Sequence, residues 1–75
     1  MYSIARNEKG APTVKFYDET QDLKLLYSIE GASWELIEKL VSPITEDAEE
    51  IVCKVRDSGG IVNVYESGDW RYLPR

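Results

Sequence analysis

The spacing of hydrophobic positions changes twice along the chain. Tyr2-Ser3-Ile4-Ala5-Arg6 alternates between the two faces of an extended chain and predicts a strand. Asn7-Glu8-Lys9-Gly10 is a turn signal, because Asn and Gly tolerate the backbone angles a tight reversal needs. Thr13-Val14-Lys15-Phe16-Tyr17 predicts a second strand with Val14 and Phe16 on one face. The polar stretch from Asp18 to Asp22 makes the next turn. Leu23 to Ile29 reads as a third strand in which Leu23, Leu25, Tyr27 and Ile29 share a face. The first third is therefore expected to be a three-stranded meander.

In the middle the period becomes helical. Ser33 is placed to cap a helix over 33–41, with Glu35 in its first turn and Leu36, Ile37, Leu40 and Val41 at helical spacing. Ser42-Pro43 then has the form of a second N-cap followed by proline at the first helical position. Ile44, Ala48, Ile51, Val52 and Val55 follow at i, i+4, i+7, i+8 and i+11, acids lead and bases trail, and Gly59-Gly60 would end a helix over 43–57. The same residues admit a strand. Ile51, Cys53 and Val55 alternate with Val52, Lys54 and Arg56, and Asp57-Ser58-Gly59-Gly60 has hairpin character. Cys53 separates the readings: it is inward on the strand and exposed among acids on the helix. Cap and charge order favour the helix, the usual burial of free cysteine favours the strand. Ile61-Val62-Asn63-Val64-Tyr65 and Trp70-Arg71-Tyr72-Leu73 form a closing hairpin around Ser67-Gly68-Asp69, with Pro74 ending the ladder. The expected fold class is α+β: one domain over 1–75, a small antiparallel sheet of about five strands with two helices on one face, in the order βββααββ.

Composition narrows the function. The 75 residues are 43% hydrophobic and 31% charged, a globular balance. No apolar run reaches the roughly 20 residues a bilayer crossing needs. The start lacks a signal-peptide core, so the chain reads as complete, and with a single cysteine it reads as cytoplasmic. There is no histidine. Serine–histidine and cysteine–histidine catalysis and the usual zinc sites are thereby excluded. Paired carboxylates remain as an acid–base possibility, but all of them fall on faces or turns expected to be wet. The chain is accordingly expected not to be an enzyme, with no catalytic residue, cofactor or metal. Asp18-Glu19-Thr20-Gln21-Asp22 lacks the ligand spacing and internal glycine of a calcium loop and reads as a polar turn.

The net charge of −5 is concentrated. Residues 30–50 hold seven acids (Glu30, Glu35, Glu38, Glu46, Asp47, Glu49, Glu50) against Lys39 alone, which is more than the whole excess. Direct binding to nucleic-acid phosphates is disfavoured, and a protein partner with a basic surface is favoured. On the second helix Glu46, Glu49 and Glu50 are expected to share a polar face, with Asp47 beside them. The plain alternative is a solvated face well placed on the helix dipole. Trp34, Trp70 and Tyr72 are either core or exposed anchors, since Trp and Tyr dominate interface hot spots. The expected partner-binding residues are thus Trp34, Glu35, Glu38, Glu46, Asp47, Glu49, Glu50, Trp70 and Tyr72.

From Ile44 to Leu73 the chain resembles a winged helix. A helix ending in Asp57-Ser58-Gly59-Gly60 is followed by a hairpin from Val62 to Tyr72. The resemblance implies DNA contact by the helix and by the hairpin as wing, with Lys54 and Arg71 as candidates. The sequence departs from it in supplying one helix instead of two, and an acidic one. The expected function is a small acidic protein-binding module, an inhibitor, regulator or adaptor acting on a basic or nucleic-acid-handling partner. The alternatives are a mimic occupying a DNA- or RNA-binding site, a winged-helix-like DNA binder, and a structural part of a larger phage or bacterial assembly.

Overall fold

The computed structural model describes residues 1–75. Its strands are β1 (Tyr2–Arg6), β2 (Pro12–Asp18), β3 (Lys24–Glu30), β4 (Ile61–Val64) and β5 (Trp70–Leu73), and its helices are α1 (Trp34–Val41) and α2 (Ala48–Ser58). A 3-10 turn, Glu19–Gln21, joins β2 to β3. All neighbouring strands are antiparallel, in the order β3-β2-β1-β4-β5. Both helices lie in the single connection between β3 and β4, so the chain closes its sheet by inserting β4 beside β1. The α+β class and element order are those the sequence predicts.

Strand periodicity of two sets the layers. Ile4, Val14, Val62 and Val64 project from one sheet face and are fully buried. Ile37 and Val41 of α1, and Ala48, Ile51, Val52 and Val55 of α2, meet them in one hydrophobic cluster. The opposite sheet face, carrying Lys15, Ser28, Asn63 and Arg71, has no layer over it. Ten buried residues make this a small core, so stability depends on each one.

Residues 51–57 are helical, which decides between the two sequence readings, but the helix starts later than the expected 43–57. Ser42 does not cap α2; its N–H bonds Glu38 O and closes α1. Pro43 and Ile44 lie in the turn that follows, and the buried Thr45 accepts the Asp47 N–H at 3.1 Å. Proline at a helix start and proline just past a helix end present the same local sequence. Here α1 simply runs into it. Cys53, expected to be exposed on a helix, is half-buried and takes an Arg56 Nη2 hydrogen bond at 3.4 Å. Ser33 caps α1 as the sequence predicts, accepting Leu36 N–H at 3.1 Å.

The third strand differs more. Register shifts between Phe16 and Tyr17, so Tyr27 pairs with Phe16 while Leu25 pairs with Tyr17. Leu26 is the extra residue. Leu25 therefore lies on the open face, opposite to Tyr27 and Ile29, and Leu23 precedes the strand with φ 59°. The expected shared face of Leu23, Leu25, Tyr27 and Ile29 is broken by this bulge.

Candidate functional site

The two helices and their connection gather the acidic residues in one layer. Glu35 and Glu38 lie on α1, Glu46 and Asp47 in the connection, and Glu49 and Glu50 in the first turn of α2. All six are exposed. Glu46 and Asp47 precede the helix instead of riding on it, which corrects the expected helical face of Glu46, Glu49 and Glu50. Their carboxylates, with Glu49 and Glu50, all flank the positive end of the α2 dipole. Asp47 also makes a long-range contact, its Oδ2 accepting the Trp70 indole N–H at 2.9 Å.

That bond accounts for one candidate aromatic. Trp34, Trp70 and Tyr72 are each half-buried against the core. Trp70 crosses from β5 to the acidic connection, and the Tyr72 hydroxyl donates to Gly59 O at 3.0 Å at the far end of α2. Lys54 Nζ lies 5.0 Å from the centre of the Tyr72 ring, within cation–π range. β5 is thus fastened to both ends of α2 by its own side chains. The β4–β5 hairpin belongs to the sheet, where the winged-helix resemblance would have it project.

Positive charge collects at the other end of α2. Arg6 Nη1 donates to Arg56 O at 2.7 Å, satisfying a terminal carbonyl of the helix. A cleft of about 710 Å³ opens beside it, lined by Arg6, Lys9 and Arg75 among others. Arg56 itself is held protonated above its ordinary range by its hydrogen bond to Asp57. α2 thus begins among acids and ends among mixed charges, where Arg6, Lys9, Arg56 and Arg75 outnumber Glu8 and Asp57.

The turn acids are occupied within the chain. Asp18 accepts the Thr20 N–H at 2.9 Å, the Thr20 hydroxyl at 2.6 Å and Gln21 Nε2 at 2.7 Å, and the Thr20 bonds hold its carboxyl below the usual range. Glu19 accepts the Glu66 N–H at 2.9 Å and sits 3.3 Å from the Met1 amino group. This ties the β2–β3 turn to the β4–β5 turn across the sheet end.

One surface was not foreseen. Leu23, Leu25, Leu26 and Tyr27 are 48%, 48%, 49% and 42% exposed, and all lie in or beside the edge strand β3. The sequence carried a signal for it: Leu25-Leu26-Tyr27 puts three large apolar residues in succession, which a strand with one buried face cannot hide. Tyr27 stacks on Phe16 at 5.3 Å between ring centres, and Phe16 meets Tyr2 in a tilted pair at 4.8 Å. Burial, with the Tyr27 hydroxyl beside it, pushes the Tyr2 phenol up to about 12.

No helix is long and apolar enough to cross a membrane. No family model matches this chain, and none of the curated proteins or solved structures compared with it does either.

Proposed function

We propose that this chain is a small non-catalytic protein-binding module whose acidic helical layer docks on a basic surface of a protein partner. The observation that carries the reading is the placement of Glu35, Glu38, Glu46, Asp47, Glu49 and Glu50. All are exposed, all lie on two adjacent helices and their link, and only Lys39 stands among them. Like charges three or four residues apart repel by a few tenths of a kcal/mol per pair, so the cluster costs stability in the free protein. Opposite charge on a partner reverses that cost and speeds encounter. Trp70 and Tyr72 serve this surface by holding β5 against α2, and Trp34 by packing α1 on the core. The partner acts on the layer as a regulator's or inhibitor's target, and a nucleic-acid-handling protein has the basic surface required.

Asp47 must be left alone in a test, because it holds Trp70. The variant with Glu35, Glu38, Glu46, Glu49 and Glu50 all changed to Lys is compared with the native chain as bait in lysate, with circular dichroism to verify folding. The native chain is expected to retain a partner that elutes with salt and that the variant loses. A partner retained equally by both contradicts the proposal. Displacement of that partner by DNA or RNA would place the contact on its nucleic-acid site.

A further inference from the structure

The two edges of the sheet differ in what their backbones offer. Two sets of bonds fix the hydrogen-bonding phase. Tyr17 N–H bonds Met1 O at 2.8 Å, and the Met1 amino group bonds Tyr17 O at 2.8 Å, so odd-numbered residues of β2 turn their backbone groups toward β1. Gly31 N–H bonds Pro12 O at 3.1 Å, so even-numbered residues turn toward β3. In an antiparallel pair, residues alternate between exchanging bonds and turning their groups away. Thr13 pairs with Glu30 and Lys15 with Ser28, so Ser28 and Glu30 turn N–H and C=O out of the sheet. Beyond the bulge Tyr17 pairs with Leu25, so Leu25 also turns outward. The extra Leu26 is what brings Leu25, and not Leu26, to the outward position after Ser28.

Leu25, Ser28 and Glu30 thus form a free ladder on an exposed strand, with all three side chains on the open face. Reversing the strand and laying it on itself about Ser28 matches every member. Ser28 meets Ser28, and Leu25 of each copy meets Glu30 of the other. On the helix-facing side Tyr27 falls opposite Ile29 of the second copy, an aromatic–β-branched pair of the kind that stabilises sheets. The strand is electrically neutral in a chain of net charge −5, so laying it on itself sets no like charges against each other along the ladder. Edge strands that avoid pairing carry central lysine or proline. β3 carries neither between Leu25 and Glu30.

We infer that β3 is a self-pairing edge, through which two copies of this chain join their five-stranded sheets into one antiparallel sheet centred on Ser28. The acidic helical layers then lie on the same side of the joined sheet, giving the pair two docking surfaces. The inference stands on β3 alone and is independent of what the helices bind.

Sedimentation of the full chain over a micromolar-to-millimolar series tests it. The expected species is a concentration-dependent dimer of 8.6 kDa chains. Ser28→Lys and Ser28→Glu each weaken association by about tenfold, because the exposed residue 28 then sets like charges directly opposite each other across the dyad. An equimolar mixture of the two variants regains association as a mixed dimer. Ser28→Pro removes a central outward N–H that the monomer leaves unused, and it abolishes the dimer. Circular dichroism checks each fold, and if Ser28→Pro unfolds, the two charged Ser28 variants decide. A monomer throughout the series, a dimer insensitive to the variants, or a mixture that associates no better than either charged variant alone overturns the inference.

Discussion

The two edges of this sheet carry aromatic and aliphatic residues in similar measure, yet they are used in opposite ways. On β5, Trp70 and Tyr72 reach down to α2, one to Asp47 and one to Gly59 O. On β3, Leu25 and Leu26 stay about half exposed, and Tyr27 reaches only its strand neighbours Phe16 and Tyr2. The difference follows from where the helices lie. α2 packs along β1 and β4 and has β5 within reach, whereas α1 packs toward β2. Two short helices cannot cover five strands. The uncovered edge is the one whose sequence can pair with itself.

The largest expected effect tests how tightly the β5 side is built. A Cβ on Gly60 would lie 2.6 Å from Leu73 O and 3.1 Å from the Tyr72 ring, at φ +81°. Gly60→Ala is expected to cost about 3 kcal/mol in denaturant unfolding, from strain and overpacking together. A loss under about 1 kcal/mol would show that β5 yields easily. Next comes a matched pair. Val64→Ala, fully buried beside Trp70 on the neighbouring strand, should cost about 2 kcal/mol. Leu25→Ala should cost less than about 0.5 kcal/mol in dilute protein, since its side chain is half exposed. Equal losses would erase the contrast between the edges.

A smaller effect isolates one fastening. Trp70→Phe keeps an aromatic ring and deletes the indole donor, for an expected loss of about 1 kcal/mol. Asp47→Asn, which keeps an acceptor, should lose less. A separate effect concerns Tyr2 on β1 and appears in alkali. The Tyr2 phenol is raised from 10.0 to about 12 in the folded chain by burial and by Tyr27. Between those values the unfolded chain sheds the proton and the folded chain keeps it. Stability should therefore fall as pH rises through this window. Tyr2→Phe should flatten that part of the profile, read as the pH dependence of the urea midpoint.

Much of the fold was legible because period and punctuation agreed. Alternation in 2–6 and 61–65, the Ser33 cap and the turn residues each pointed the same way. The start of α2 was not legible, since Ser42-Pro43 serves equally after one helix or before another, and only the length α1 reaches decides. The bulge at Leu26 was not legible as a bulge, although three successive apolar residues marked the strand as irregular. Among the candidate site residues, the exposure of the acids followed from charge alone. The fate of Trp70 and Tyr72 did not, because both hydrogen-bond partners lie far away in sequence, 23 and 13 residues distant.

The most direct test of the contrast is amide hydrogen exchange followed by NMR over a protein concentration series. The outward amides are those of Leu25, Ser28 and Glu30 on β3 and of Trp70 and Tyr72 on β5. The account predicts that all exchange rapidly in dilute protein and that the β3 amides alone become protected as concentration rises. Protection that rises on β5, or β3 amides that stay unprotected at every concentration, would contradict it.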